Sequence, residues 1–430
     1  MGPADMSSIP HQFVRIRQNF PHRALPDVPA AVRAEMEAAD WTAKVPAGSR
    51  IAIGVGSRGI QNIDQIAKAV VDFWLARDVA PFLIPVMGSH GAASAEGQAD
   101  VLAHYGITQE TMGVPVVSSL DVDHVGTTPE GIEVSMDRQA HGADGVMLLS
   151  RVKWHTDFEG GLESGVHKMM AIGLGKWAGA KRYHTWALQI GMEQVIRSVG
   201  QVIVSTGKML GGLAILEDAW HATAGVHALG VDGMVEREEE LLALTKSWKA
   251  NVPVKAVDLL VIDETGKNFS GAGMDTKVIN RSVDGPNVWK DVPSVRRVFV
   301  RDLSDLSYGN AIGIGFADVT TDRLAAKIDW NATWINGLTS STTQPGALPM
   351  HFASDQECIE KLLPTCARLD LSEVTIAWIP NTMDLGELMV SDNLLDEVRA
   401  NPEIEVLSEP APLAFDADGN LEEAFSKASH

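Results

Sequence analysis

The chain has 430 residues, 45% of them hydrophobic and 21% charged, and a formal net charge of -21. That length exceeds one ordinary core and points to two domains. The acidic balance, with no long lysine or arginine cluster to offset it, argues against a nucleic-acid partner and means that an anionic small ligand needs a local basic pocket.

The only cysteines, Cys358 and Cys366, are spaced as in no zinc or iron–sulfur motif. The N-terminus lacks an apolar signal core, and no apolar run approaches the ~18 residues of a membrane helix. The expectation is a cytoplasmic protein with no membrane attachment.

In chain order, FVRIRQNF (13–20) alternates like a strand, and VPAAVRAEMEAA reads as a helix with Pro29 in its first turn. RIAIGVGSRG (50–59) reads as a buried strand entering a glycine turn, followed by the helical NIDQIAKAVVDFWLARDV. APFLIPVMG, the turn GSHGAAS and the helical AEGQADVLAHYG repeat the pattern. Such alternation predicts parallel α/β construction. It also sets Arg58 and His90 just past the carboxyl ends of strands, where open α/β sheets bind ligands.

GVPVVSSL (113–120) and GADGVMLLS (142–150) read as further strands, and helical patterns dominate from Trp186 to Ala250, with EREEELLAL as a solvated face. Asn251-Val-Pro-Val punctuates the chain, so the domains are expected at 1–250 and 251–430. The second opens with the strand KAVDLLVIDE (255–264) and the glycine-rich turn ETGKNFSGAGMDTKVINR, which holds Lys267 and Lys277. SVRRVFVRDLS (294–304), NAIGIGFADVTT (310–321) and SEVTIAWIPN (372–381) are the remaining strand-like runs. The fold expected is two α/β lobes with mostly parallel sheets and a ligand cleft between them.

One stretch concentrates chemistry. RVKWHTDFEGGLESGVHKMMAIGLGKWAGAKRYH (151–184) sets His155, His167, His184 and Lys168 among glycines. Histidine titrates near neutrality and ligates metals, and lysine can carry a covalent adduct. Ser164 and Gly165 precede a helical run, so their N–H groups are candidates to cradle a phosphate. Any one of these histidines alone reads better as a satisfied structural residue; the set is harder to explain by packing.

Arg58, the GSHG turn with His90, KWHTDF with His155, and ESGVHKMMAIGLG with Lys168, followed by His184, resemble the lactate racemase superfamily, enzymes that use a nickel-pincer nucleotide to invert 2-hydroxyacids. The spacing of Lys168 and His184 looks like that of the family's cofactor-bearing lysine and nickel-binding histidine. The better-known lactate racemases read more like Gly-Gly-x-Lys at this lysine, whereas here His167 precedes Lys168, a departure that bears on substrate more than on reaction.

The resemblance implies that Lys168 carries the pyridinium ring through a thioamide-type linkage and that His184 binds nickel, to which imidazole is suited. His90 and His155 match the family's general acid/base pair, and Arg58 an arginine that contacts substrate, its planar fork matching a carboxylate. Lys267 and Lys277 are the candidates from the second lobe, and the sequence does not choose between them. His167 reads as structural. The implied reaction is inversion of C2 by proton-coupled hydride transfer to the tethered nucleotide, with maturation proteins supplying the cofactor. Two rivals use the same residues: a cofactor-free or simple-metal isomerase in which His90 and His155 remove an α-proton, and a non-catalytic hydroxyacid- or nucleotide-binding protein.

Overall fold

The computed structural model describes residues 9–56, 59–88 and 94–425; Arg58 and His90 lie outside the described residues. The chain forms two compact units, one of residues 22–249 and one that joins the first 21 residues to residues 250–430.

In the unit 22–249, five strands lie in the order Ala80–Pro85, Arg50–Val55, Gly145–Arg151, Met209–Glu217, Thr223–Gly230. The first four run parallel and only the last pair is antiparallel. Alternation along each strand builds two cores. Ile51, Ile53, Val55, Met147 and Leu149 face one layer, while Ala52, Val146 and Leu148 face the other. The helix Ile63–Leu75 covers the first layer with Ile63, Ile66, Ala67, Val70, Val71 and Trp74, the i, i+3, i+4 stripe of an amphipathic helix. Val195, Val199 and Ile203 of the helix Met192–Ser205 cover the second.

The other unit carries eight strands in the order Met350–Phe352, Val319–Thr321, Ser294–Leu303, Ala256–Thr265, Ile376–Ile379, Glu387–Ser391, Phe13–Gln18, Ile404–Val406. Its first five strands are parallel and the remaining pairings antiparallel. The α/β class with mostly parallel strands is what the chain has.

Three expectations are corrected. The N-terminal strand belongs to the second unit, because Phe13–Gln18 fills the gap between Glu387–Ser391 and Ile404–Val406 and buries Val14 and Ile16 completely. The run 113–120 forms no strand; Val116 makes a single bridge to Leu83. The region after Trp186 is not helical throughout, since Met209–Glu217 and Thr223–Gly230 form two strands of the first sheet. Met209–Glu217 is apolar on both faces because it lies between two strands under covering helices, a pattern that periodicity alone does not separate from a buried helix.

Ile16 tests the discontinuous unit. Ile16→Ala, at a position with 0% exposure, is expected to cost roughly 2–5 kcal/mol, and hydrogen exchange should show lost protection in 256–265 and 376–391 but not in 50–55 or 145–151. Equal loss in both sheets would contradict the division.

Candidate functional site

The parallel strands Arg50–Val55, Ala80–Pro85 and Gly145–Arg151 end on one edge of their sheet, and the segments leaving that edge lead toward Arg58, His90 and His155. Arg151 fixes this edge. Its guanidinium pairs with Glu217 at the end of the neighbouring strand and donates to the Gly59 carbonyl at 3.2 Å, while Glu217 accepts the Gln61 N–H at 2.9 Å. The turn that follows the strand 50–55 is thereby tied to two strand ends.

His155 lies in a loop built on Glu163, whose carboxylate has no exposure. Glu163 accepts the N–H groups of His155 at 2.6 Å and Gly160 at 3.1 Å and pairs with Lys246. The His155 ring lies 4.5 Å from that of Phe158, and its Nδ1 accepts the Asp157 N–H at 3.0 Å. A neutral ring held this way carries its proton on Nε2.

Around Ser164 and Gly165, expected to cradle a phosphate through their N–H groups, the neighbouring polar groups are already paired. The Ser164 hydroxyl donates to the Lys153 carbonyl at 2.5 Å and accepts the Lys153 N–H at 2.7 Å. The helix Val166–Lys168 begins just after Gly165, and its first donors are already used: the N–H groups of Val166 and His167 go to the carboxylate of Glu238, which also lies 3.1 Å from His167 Nδ1. An internal anion thus stands beside the place where an external one was expected. Gly165 is required there, because its φ is +100° and a Cβ would lie 1.8 Å from Glu238 Oε1. Glu238 has 0% exposure, so the acidic run is not a wholly solvated face. The sequence held a signal for it: Glu238 falls on the stripe of Met234, Leu241, Leu242 and Thr245, all buried.

Lys168 is half-buried, and the backbone past it widens into a π turn, Met169–Gly173, closed by the Leu174 N–H on the Met169 carbonyl at 2.9 Å. Lys176 then restarts the helix with φ of +53° and no exposure. Its ammonium donates to the Pro85 carbonyl at 2.5 Å and lies 3.0 Å from the buried Asp137 carboxylate; burial holds its pKa below the usual lysine range. The segment after Lys168 is thus clamped to the strand end that leads toward His90. Sequence reasoning missed Lys176, Glu163 and Glu238, each a charged residue buried with partners far along the chain.

The helix Lys176–Ile190 carries His184. Tyr183 fixes its rotation: the ring lies where a side chain on Gly179 would collide, and the hydroxyl accepts the Ser135 N–H at 2.9 Å. His184 is pushed down to about 4 from 6.5, first by burial and then by the charge of Lys168. Those are the two residues that the sequence paired. A neutral imidazole is the form that ligates a metal. Among the described residues no three His, Cys, Asp or Glu side chains converge to hold a metal by themselves. His184 offers one neutral imidazole, a ligand type that nickel takes.

In the other unit Lys267 and Lys277 follow the carboxyl end of the strand Ala256–Thr265. Lys267 is half-buried and donates to the Gly271 carbonyl at 2.7 Å. Lys277 is 3% exposed, with its ammonium 5.2 Å from the Trp289 ring centre. The Asp275 N–H donates to Thr382 at 2.8 Å, joining this turn to the segment after the neighbouring strand Ile376–Ile379.

Neither the protein-family models nor the curated protein sequences give a match to this chain. Among solved structures it is similar to the lactate racemase apoprotein from Thermoanaerobacterium thermosaccharolyticum, with a TM-score of 0.52 and 13% identity over 85% of this chain and 94% of that one. The two share a fold. At that identity the likeness is one of architecture, and the roles of individual residues rest on the geometry above.

The His184 environment is measurable in the unloaded protein. An NMR titration should place His184 near pH 4, and Lys168→Met should raise that value while leaving it below 6.5, since burial remains. An imidazole that binds its proton at 6.5 unfolded and about 4 folded contributes stability above pH 6.5 that is lost as pH falls toward 4, up to roughly 3 kcal/mol. A His184 pKa indifferent to Lys168 would contradict the juxtaposition.

Proposed function

We propose that this protein is a racemase or epimerase that inverts C2 of a 2-hydroxyacid, with a nickel-pincer nucleotide tethered to Lys168 and its metal ligated by His184. The observation that carries the reading is the fold, shared with a lactate racemase apoprotein, together with a half-buried His184 whose pKa is pushed down to about 4 by burial and then by Lys168. The bound group would supply an electron sink for the hydrogen on C2.

The protein's own part is to orient the acid and move the hydroxyl proton. Arg58, Lys267 and Lys277 are the candidates for the substrate carboxylate, Arg58 by a bidentate fork and the lysines as point charges. His90 and His155 form the acid/base pair, which racemisation needs because the hydroxyl is approached from either hand. The Asp157 N–H on Nδ1 holds the His155 ring in place, and in this reading a neutral histidine takes the hydroxyl proton and its imidazolium returns it when C2 is reduced again. Under this reading maturation proteins deliver the cofactor, and the protein works in the cytoplasm.

The test is intact mass with metal analysis on protein made alongside the cofactor's biosynthetic enzymes. The wild type should carry a nucleotide-sized adduct with nickel and invert a 2-hydroxyacid. Lys168→Ala should have neither adduct nor activity, whereas His184→Ala should keep the adduct and lose most of its nickel. Full activity in Lys168→Ala would overturn the proposal.

A further inference from the structure

A net charge of -21 repels anions from most of the surface, so a site for one needs cations that the fold brings together. The unit with the eight-stranded sheet contains such a place. A pocket of about 240 Å³ is lined by Arg281, Arg296 and Arg297, by Asp318, and by the apolar side chains of Pro286 and Phe316. Its described lining sets three arginines against one carboxylate.

Two of the guanidinium groups meet at that carboxylate. Arg281 donates from Nη2 to one Asp318 oxygen at 3.2 Å, and Arg297 from Nη1 to the other at 2.8 Å. Arg281 is buried and also donates to the carbonyls of Val295 at 2.6 Å and Arg296 at 2.8 Å, which fix it in place. Burial lowers the Arg281 pKa; Asp318 opposes that, and the charge of Arg297 adds to it. Two guanidinium groups sharing one carboxylate repel each other at close range.

Arg296 and Arg297 are neighbours near the start of the strand Ser294–Leu303, where side chains ordinarily point to opposite faces. Here both charges reach one group: burial and then Asp258 push the Cys366 thiol up to about 12, and Arg297 and Arg296 oppose the rise. Arg296 is exposed, and its Nε lies 3.6 Å from Asp258, whose other oxygen accepts Arg368 Nε at 2.8 Å. Among the described residues no hydrogen bond engages Nη1 or Nη2 of Arg296, or Nη2 of Arg297. The pocket is also distinct from the Lys267 turn. That turn leaves Thr265, which pairs with Leu303, seven residues along the strand from Arg296 and roughly 20 Å away at the usual strand rise.

We infer that Arg281, Arg296 and Arg297 form an anion site that takes the phosphate head of a small ester whose apolar body lies against Pro286 and Phe316. Forks that meet at one carboxylate suit a single centre carrying two charges, which a phosphate monoester supplies near neutral pH, better than two carboxylates held apart. A bound phosphate offsets the repulsion among the arginines, and the pocket has room for more than its four oxygens. The inference does not depend on the chemistry at Lys168.

The test is calorimetric binding of inorganic phosphate, phenyl phosphate, phenol and succinate to the unloaded full-length protein at fixed ionic strength. Both phosphates should bind, phenyl phosphate the tighter, and each should lose about tenfold or more in Arg296→Gln/Arg297→Gln. Lys327→Met removes a charge that pairs with Asp302 and Asp305 in the same unit, and should stay within about twofold of the wild type, showing that overall charge is not the cause. If the double variant does not fold, Arg296→Gln alone, at an exposed position, should lose about threefold or more.

Undiminished phosphate binding in the arginine variants, or no binding of either phosphate by the wild type, overturns the inference. Succinate binding tighter than both phosphates overturns the assignment to a phosphate, and phenol binding as tightly as phenyl phosphate removes the arginines from recognition altogether. Inorganic phosphate binding as tightly as the ester, with the same dependence on the arginines, supports the site and makes free phosphate its ligand.

Discussion

The Glu238 carboxylate on the N–H groups of Val166 and His167 is the contact on which the lysine segment depends. A fully buried carboxylate is costly unless its lone pairs are used, and here two backbone donors and the His167 ring use them. The same contact fixes the first turn of the helix and requires glycine at 165. At the far end Lys176 accepts a left-handed backbone and complete burial in exchange for the Pro85 carbonyl and Asp137. Such a conformation costs on the order of 1 kcal/mol in a non-glycine residue and persists only where its surroundings impose it. Between these two pins lie Lys168 and the π turn.

In the helix that follows, burial and then the charge of Lys168 hold the His184 pKa down to about 4. The ion pair of Arg151 and Glu217 ties the strand edge to the turn after the strand 50–55. This pair and the Glu238 contact both hold backbone in place, one at a strand edge and one at the Lys168 segment.

Much of this was legible in the sequence. Strand, turn and helix alternation predicted the parallel sheets. Less legible was anything that depended on partners far along the chain. Phe13–Gln18 reads as a strand but cannot show that its partners lie beyond residue 386. Met209–Glu217 lacks the period that would separate a central strand from a buried helix. Ser164 and Gly165 had the composition of a phosphate-binding turn, and only the fold shows that the N–H groups just after them go to Glu238, more than 70 residues later. Composition reports that an anion belongs at a helix start; it does not report whether the protein brings its own.

The central claim is that inversion at C2 proceeds by oxidation and reduction centred on Lys168 and His184, not by removal of a proton from carbon. A 2-hydroxyacid deuterated at C2, turned over in ordinary water by loaded protein, tests this most directly. The account predicts that the inverted product keeps most of its deuterium and that trace 2-keto acid can be trapped during turnover. Rapid loss of the label to solvent with no keto acid would contradict it and favour proton abstraction by the paired histidines.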